Sequence, residues 1–317
     1  MDLYLCQPGY EAFLLKEAGG EASRSGPGWL LSPAPAQERI FAHLSLRAPL
    51  EVSGASLNAL AGAVGDFFLE SARQVRFDGA WPLLIEHAGV PGLGRRAKGV
   101  EEEVRARLKA RMARVAKLAV DARPRSGPAR GLFVFLDSFD RAFVSREAEC
   151  GGQRRMADDP QAPSRSYLKA EEAYAVLGRE PAAGETVVDL GAAPGGWSYS
   201  AAKRGATVWA VDNGPLKGGV LRPEIRHAEA DAFTFAPESP VDWLFCDMVE
   251  DPDKVLNLIG RWLDHGWCRR LVLNLKYGRL DPLALAKRCE PLRAKLALSR
   301  LRHLYHDREE LTLVGEK

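Results

Sequence analysis

One stretch, Thr186–Asp212, limits the fold of this chain more than any other part of the sequence. It reads TVVDLGAAPGGWSYSAAKRGATVWAVD. Its first residues are largely apolar and β-branched, which predicts a buried strand. A glycine-rich turn follows, then a predicted helix over 197–204 and a second predicted strand over 207–211. Strand, turn, helix and strand in this order form one βαβ unit, with which a nucleotide-binding sheet begins.

The turn itself, G-A-A-P-G-G over 191–196, indicates the kind of ligand. Glycine lets the backbone approach a ligand closely, and the free N–H groups of a helix N-terminus attract negative charge. Asp212 follows Gly191 by 21 positions, where a carboxylate can accept hydrogen bonds from ribose hydroxyls. The turn is not the G-x-G-x-x-G of dinucleotide sites. We therefore interpret the turn as a binding site for a ligand with an adenosine end and a compact charged end, such as S-adenosylmethionine. The alternative is an ordinary loop that only connects the strand to the helix.

Length and charge allow several domains and a polyanionic partner. The 317 residues suffice for two or three domains, and the net charge is only +2. Twelve basic against four acidic residues nevertheless lie between Arg95 and Arg130, and again between Arg261 and Arg308. Two such segments indicate a polyanion bound to one face, or else solvated helix surfaces.

The cysteines and the N-terminus indicate a reducing compartment. The five cysteines form no C-x-x-C pair and no cluster with histidine, so neither a disulfide framework nor a metal site is predicted. The first residues lack the features of a signal peptide, and no run of about 20 apolar residues exists. We therefore expect a cytoplasmic protein without a membrane segment.

The first half of the chain reads as two small segments, residues 1–60 and 61–150, of mixed α/β structure. Strands are predicted over 3–5, 38–46, 75–77, 83–85, 131–137 and 141–145, and a helix over 9–18. A longer helix over 100–118 carries apolar residues at helical spacing. The opposite face of that helix is basic and consists of Arg105, Lys109, Arg111, Arg114 and Lys117. This pattern predicts a module that contacts RNA.

The second half alternates strands and helices after a predicted polar linker at 151–164. Helices are predicted over 165–177, 253–263 and 282–297. Beyond the opening unit, strands are predicted over 225–229, 242–246, 270–275, 300–306 and 311–314. Repeated βα units predict a mainly parallel sheet of seven strands across residues 165–317. Two successive strands at the end predict a hairpin with an antiparallel strand at the sheet edge.

Residues that could perform chemistry follow the predicted strands. Asp212, Asp247 and Lys276 each come at the carboxyl end of a strand, and Asp231 follows another. Ligands of open α/β sheets bind at these ends. A lysine and an aspartate beside a methyl donor suggest that a proton is taken from a hydroxyl. Taken singly, Asp247 could cap a helix and Lys276 could be a solvated surface lysine.

Four residues in chain order carry a resemblance to a known family. They are Lys169 in RSYLK, Asp247 in FCDMVE, Lys276 in LNLK and Glu310 in HDREELT. Together with DLGAAPGGW and AVDNGP, they resemble the FtsJ-like ribose 2′-O-methyltransferases, whose signature is a Lys-Asp-Lys-Glu tetrad. The resemblance is strong from about residue 163 to the end and weaker over 1–150.

The resemblance implies a fold and a set of site residues. The implied fold class is α/β, a Rossmann-like S-adenosylmethionine methyltransferase domain preceded by an α+β ferredoxin-like and THUMP-type RNA-binding region. The implied catalytic residues are Lys169, Asp247, Lys276 and Glu310. The implied donor contacts are Ser166, Gly191, Ala193, Pro194, Gly195, Gly196, Asp212, Asp231 and Asp247. Asp189 reads as structural, and no metal is implied.

The resemblance also implies a reaction and a partner. The reaction is methylation of the 2′-hydroxyl of a cytidine in large-subunit (23S) ribosomal RNA, free or immature, by in-line displacement with Lys276 as the base. We expect a monomer. Three other interpretations stay open: a 2′-O-methyltransferase for another RNA, an RNA-binding protein with an inactive methyltransferase domain, and an NAD-type dehydrogenase. The missing G-x-G-x-x-G argues against the last.

Overall fold

The apolar, β-branched runs of the sequence form two sheets in two units of the chain. A computed structural model describes residues 1–217 and 222–317. The units are Met1–Gly152 and Gln153–Lys317. Within the described residues, no helix combines the length and apolarity that crossing a membrane requires. The same residues contain no cluster of three or more His, Cys, Asp or Glu that could hold a metal ion.

The first unit is built on a nine-stranded sheet. Its strands are β1 (Asp2–Leu5), β2 (Arg24–Gly26), β3 (Trp29–Ser32), β4 (Leu44–Leu46), β5 (Leu50–Ser53), β6 (Trp81–His87), β7 (Ala119–Val120), β8 (Gly127–Leu136) and β9 (Arg141–Cys150). Its helices are α1 (Glu11–Glu17), α2 (Leu57–Ala72), α3 (Leu93–Arg111) and α4 (Ala113–Ala116). The strand order is β2-β3-β1-β4-β9-β8-β6-β7, and β5 also pairs with β9.

The predicted boundary at residue 60 falls inside α2, and residues 1–152 form one unit. The reason is a pairing between distant parts of the chain. Strand β4 runs antiparallel to β9, with Leu44 opposite Cys150. Apolar side chains of α2 and α3, among them Phe68 and Val104, belong to the same hydrophobic core as these strands.

Of the strands predicted in the first unit, one is shorter than expected and another is wrong. The run 38–46 forms a strand only at Leu44–Leu46, because the Glu17 carboxylate accepts hydrogen bonds from the backbone N–H groups of Ile40 and Phe41. The run 75–77 is no strand at all. Its Phe77 ring instead packs at 5.8 Å from the ring of Trp81.

The predicted helix over 100–118 is interrupted at Met112, where α3 ends and the short α4 begins. Met112 has φ −142° and ψ 58°, outside the helical region. The break lets the chain after α4 reach the start of β6. There the Trp81 backbone N–H and indole N–H donate to the carbonyls of Leu118 and Val115, at 3.0 and 2.9 Å.

The second unit is built on a seven-stranded sheet. Its strands are β10 (Thr186–Leu190), β11 (Thr207–Val211), β12 (Ile225–Ala228), β13 (Val241–Cys246), β14 (Cys268–Lys276), β15 (Leu298–Arg302) and β16 (Glu310–Glu316). Its helices are α5 (Tyr167–Leu177), α6 (Gly196–Ala202), α7 (Pro252–Asp264), α8 (Pro282–Arg288) and α9 (Glu290–Arg293). The strand order is β12-β11-β10-β13-β14-β16-β15.

The prediction of a mainly parallel sheet with one antiparallel strand is confirmed, but the predicted place of that strand is wrong. β16 pairs antiparallel with both β14 and β15, so it lies between them and β15 forms the edge. The return of the chain into the sheet buries β16 on both sides, and Leu311, Leu313 and Val314 are fully buried. This insertion brings the beginning of β16 beside the end of β14.

Two further predicted segments differ from the structure. Residues 153–164 belong to the second unit and are anchored to it, since the Arg154 backbone N–H donates to Glu172 at 3.0 Å and the Met156 N–H donates to His306 at 3.0 Å. The predicted helix over 282–297 forms as α8 and α9. Pro291 has no N–H to continue the hydrogen-bond pattern of α8.

Candidate active site

The turn after β10 is held against the end of β11 by hydrogen bonds. Gly191 has φ +73° and its N–H donates to the Val211 carbonyl at 2.9 Å. The Asp212 carboxylate accepts from the backbone N–H groups of Ala193 at 2.9 Å and Gly214 at 2.7 Å. Gly195, with φ +105°, precedes α6. The turn therefore requires glycine where the chain reverses, and Asp212 fixes its shape.

A cleft of about 480 Å³ opens at the carboxyl ends of β10, β11, β12 and β13. Its lining includes Gly191, Ala193, Asp212, Asp231 and Asp247. With Glu250, four carboxylates line the cleft, and they suit a ligand that carries hydroxyl groups, an amino group and a positive charge. The volume lies within the range of small-molecule sites, about 300–1,000 Å³.

Beside this cleft, four charged side chains converge from four elements. Lys169 lies in the first turn of α5 and Asp247 follows the last residue of β13. Lys276 is the last residue of β14, Glu310 is the first of β16, and the two are directly paired across the sheet. Because paired residues of antiparallel strands point to one face, the two side chains meet.

The distances in the cluster show one shared network. Lys276 Nζ lies 2.5 Å from Asp247 Oδ1 and 3.6 Å from Glu310 Oε1. Lys169 Nζ lies 3.0 Å from Glu310 Oε1 and 3.9 Å from Asp247 Oδ1. The side chain of Lys276 is 24% exposed and that of Lys169 is 12% exposed. Lys276 is therefore the lysine that an incoming molecule reaches more easily.

A buried polar layer, which was not predicted from the sequence, supports the cluster. Asn274 Oδ1 accepts hydrogen bonds from Lys276 Nζ at 2.9 Å and from Lys169 Nζ at 3.4 Å. Asn274 Nδ2 donates to Asp307 Oδ1 and to Thr312 Oγ1, both at 2.9 Å. The signal was present in the sequence, because residues two apart on a strand share a face and Asn274 precedes Lys276 by two.

The local charges decide the protonation of two members of the cluster. Burial disfavours the charge of Lys169, but the nearby carboxylates, Asp247 foremost, outweigh it and raise the pKa of Lys169. Burial also disfavours the charge of Glu310, but the N–H of Arg308 and the charge of Lys169 outweigh it and lower the pKa of Glu310. Lys169 and Glu310 are therefore a charged pair at neutral pH.

Other predicted binding residues belong to the turn or lie next to it, but they do not line the cleft. The described cleft lining does not include Ser166, Pro194, Gly195 or Gly196. Ser166 nevertheless touches the turn, because a Cβ added to Gly196 would come 2.4 Å from Ser166 Oγ. Asp189 is buried beneath the turn and accepts a hydrogen bond from Ser198 Oγ at 2.7 Å.

Comparison with known proteins gives the relatives of the chain. The family model described as FtsJ-like methyltransferase matches residues 162–272. Curated proteins named Ribosomal RNA large subunit methyltransferase M are similar over longer stretches. The one from Chromohalobacter salexigens is 30% identical over 357 residues, which cover 98% of this chain and 96% of that protein. The one from Laribacter hongkongensis is 39% identical over 253 residues, 74% of this chain and 68% of that protein.

Other relatives align over about half of the chain. The protein of the same name from Thauera aminoaromatica is 42% identical over 174 residues, which cover 51% of this chain and 48% of that protein. In such matches the chain spans about half the length of the relative. The sequence identity is thus higher in matches that cover about half of the chain and lower in the match that covers nearly the whole chain.

Proposed function

The chain belongs to the family of Ribosomal RNA large subunit methyltransferase M, and from this premise we propose that it transfers a methyl group from S-adenosylmethionine to a ribose 2′-hydroxyl of large-subunit ribosomal RNA. One observation carries the proposal. Lys169, Asp247, Lys276 and Glu310 meet within hydrogen-bonding or ion-pair distance beside the cleft, and Asp247 belongs to both.

The cleft residues are suited to hold S-adenosylmethionine. When bound, this donor supplies a methyl group on a positively charged sulfur. Asp212 retains acceptor capacity for ribose hydroxyls beyond its two backbone contacts. We assign Asp231 to the adenine amino group and Ser166 with Gly195 and Gly196 to the methionine end. The negative charge of Asp247 attracts the positively charged sulfur of the donor to a place close to the lysines.

In the reaction, Lys276 acts as the general base. It receives the proton of the 2′-hydroxyl while the ribose oxygen attacks the methyl carbon in line with the departing sulfur. Lys169 stays charged, because its carboxylate neighbours outweigh the effect of burial and raise its pKa. Base catalysis contributes about 10²–10⁴ in rate, and correct orientation of oxygen and methyl contributes about 7–11 kcal/mol.

The target we propose is a cytidine of 23S ribosomal RNA, in free or immature large-subunit RNA, modified in the cytoplasm by a monomer. The first unit, which we interpret as a ferredoxin-like and THUMP-type region, provides the RNA contacts. The exposed basic side chains at the end of α3 and in α4 support this assignment.

The test is transfer of tritium-labelled methyl groups to undermethylated large-subunit RNA, with nuclease mapping and mass spectrometry of the modified nucleoside. We expect 2′-O-methylcytidine at one position. Naked 23S RNA, assembled large subunits and small-subunit RNA are compared as substrates. Methyl transfer to a base, or equal transfer to small-subunit RNA, would contradict the proposal.

A further inference from the structure

Asn274 is an uncharged side chain between the two lysines of the cluster. It is 1% exposed and lies on β14 two residues before Lys276, so the two side chains leave the strand on the same face. We propose that Asn274 is a positioning residue, which directs the free electron pair of Lys276 toward the substrate hydroxyl. The inference rests on the proposed function, because it takes Lys276 as the base.

The orientation of the Asn274 amide is fixed by its buried partners. Its Nδ2 donates to Asp307 Oδ1 and Thr312 Oγ1. The Thr312 hydroxyl donates in turn to Asp307 Oδ2 at 2.9 Å, and so does the Leu304 backbone N–H at 2.9 Å. Above the pKa of Asp307, which burial raises to about 7, a rotated amide would turn its NH₂ group toward Lys169, which is charged and offers no acceptor, and its oxygen toward a carboxylate. Only one orientation satisfies all these groups, and it points Oδ1 at the lysines.

This oxygen completes the hydrogen bonding of a deprotonated Lys276. A neutral amine has two N–H bonds and one electron pair, arranged tetrahedrally with its bond to carbon. Asp247 Oδ1 and Asn274 Oδ1, at 2.5 and 2.9 Å from Lys276 Nζ, accept the two N–H bonds. The electron pair then occupies the remaining direction. With Asp247 alone, the amine would still rotate about its Cε–Nζ bond, so the second acceptor is what fixes the electron pair.

An amide suits this place better than a carboxylate. The amide accepts a hydrogen bond but adds no negative charge. An added negative charge would favour the charged form of the base. Glu310 pairs mainly with the other lysine, since its Oε1 lies 3.0 Å from Lys169 Nζ and 3.6 Å from Lys276 Nζ. Without the Asn274 oxygen, the Glu310 carboxylate is the nearest alternative acceptor and draws Lys276 away from the hydroxyl.

The experiment compares Asn274→Ala with Asn257→Ala, a matched substitution at an exposed position of α7. Single-turnover methyl transfer is measured at saturating donor and RNA. In the protein without donor or RNA, the order parameter of the Lys276 side-chain nitrogen is measured by ¹⁵N NMR, with the resonance assigned from Lys276→Arg. For Asn274→Ala we expect the rate to fall about 10- to 100-fold, as for a misplaced reacting group. Donor and RNA affinities stay unchanged, and the order parameter falls.

Asn257→Ala is expected to keep the wild-type rate and order parameter. Thr312→Val, which removes one support of the amide, should lower both quantities by less, and Thr312→Ser should restore them. If Asn274→Ala does not fold, the comparison of Thr312→Val with Thr312→Ser tests the positioning role of Asn274. A wild-type rate, or an unchanged Lys276 order parameter, in a folded Asn274→Ala protein overturns the inference. Absence of methyl transfer by the wild type would instead refute the proposed function, and the NMR measurement would still test the positioning.

Discussion

At the scale of single residues, Asp247 connects the two parts of the site. It lines the cleft, and its Oδ1 contacts Lys276 at 2.5 Å and Lys169 at 3.9 Å. A single carboxylate thus faces both the proposed donor and the proposed base. In the proposed reaction, this shared position places the donor beside the lysine that activates the hydroxyl.

Lys276→Arg tests the base directly. Arginine keeps the positive charge but does not lose its proton at accessible pH, so it cannot accept the hydroxyl proton. We expect methyl transfer to fall by about 10²–10⁴ while donor affinity, measured by calorimetry, stays close to wild type. Lys287→Arg, at an exposed position of α8, is the matched control. Substantial activity of Lys276→Arg would remove the lysine from its assigned role.

Asp212→Ala tests the donor cleft. The substitution removes the proposed partner of the ribose hydroxyls and also frees the N–H groups of Ala193 and Gly214. Since a hydrogen bond to a charged group contributes about 1.5–3 kcal/mol, we expect donor affinity to fall roughly 10- to 100-fold. Calorimetric titration measures it, with Asp264→Ala on α7 as the control. Unchanged affinity would show that the donor binds elsewhere.

At the scale of elements, the insertion of β16 and the interruption of α3 have the largest consequences. β16 enters the sheet beside β14 and thereby pairs Glu310 with Lys276. The interruption at Met112, whose backbone is not helical, ends α3 and separates it from α4. Arg111, Arg114 and Lys117 therefore lie around the break, and all three are exposed.

Neutralising Arg111, Arg114 and Lys117 together tests the basic surface of the first unit. Each lost phosphate contact should reduce the slope of log affinity against log salt by about 0.7–0.9. We expect weaker RNA binding and a flatter slope, measured by fluorescence anisotropy from low to physiological salt. Neutralising Lys16, Arg73 and Arg76, also exposed in the first unit, changes the net charge equally. If both triple variants behave alike, the RNA surface is not at this break.

At the scale of the whole molecule, several buried titratable groups make stability depend on pH. Burial raises the pKa of Asp189 to about 7, that of Glu172 to about 8 and that of Asp307 to about 7. Unfolded carboxyl groups release their protons near pH 4. The folded state therefore holds more protons than the unfolded state between about pH 4 and 8, and these groups lower the free energy of unfolding as pH rises through that window.

We expect the melting temperature to fall from pH 6.5 to pH 8.5. Below that range His303 opposes the trend, because burial lowers the pKa of His303 to about 4. Between about pH 4 and 6.5 this histidine binds a proton only in the unfolded state, so its contribution makes stability rise with pH. Thermal unfolding by circular dichroism at constant ionic strength measures the slope, and Glu172→Gln should make it shallower. A melting temperature that rises over this range would contradict the protonation of these buried groups.

The sequence by itself determined the parts of the site that depend on neighbours along the chain. The strand, glycine turn, helix and strand of 186–212 were confirmed, since apolar periodicity and turn residues act locally. Lys169, Asp247, Lys276 and Glu310 were recognisable from motifs, and two of them, Asp247 and Lys276, stand at the carboxyl ends of strands, where sheets of this class bind ligands.

Only the tertiary structure decided what depends on pairing between distant segments. The insertion of β16 between β14 and β15 sets Glu310 opposite Lys276, and the pairing of β4 with β9 joins residues 1–152 into one unit. The support of Asn274 by Asp307 and Thr312 likewise comes from another strand and loop. Strand order and register are set by which buried faces meet, and that information is shared between segments far apart in the chain.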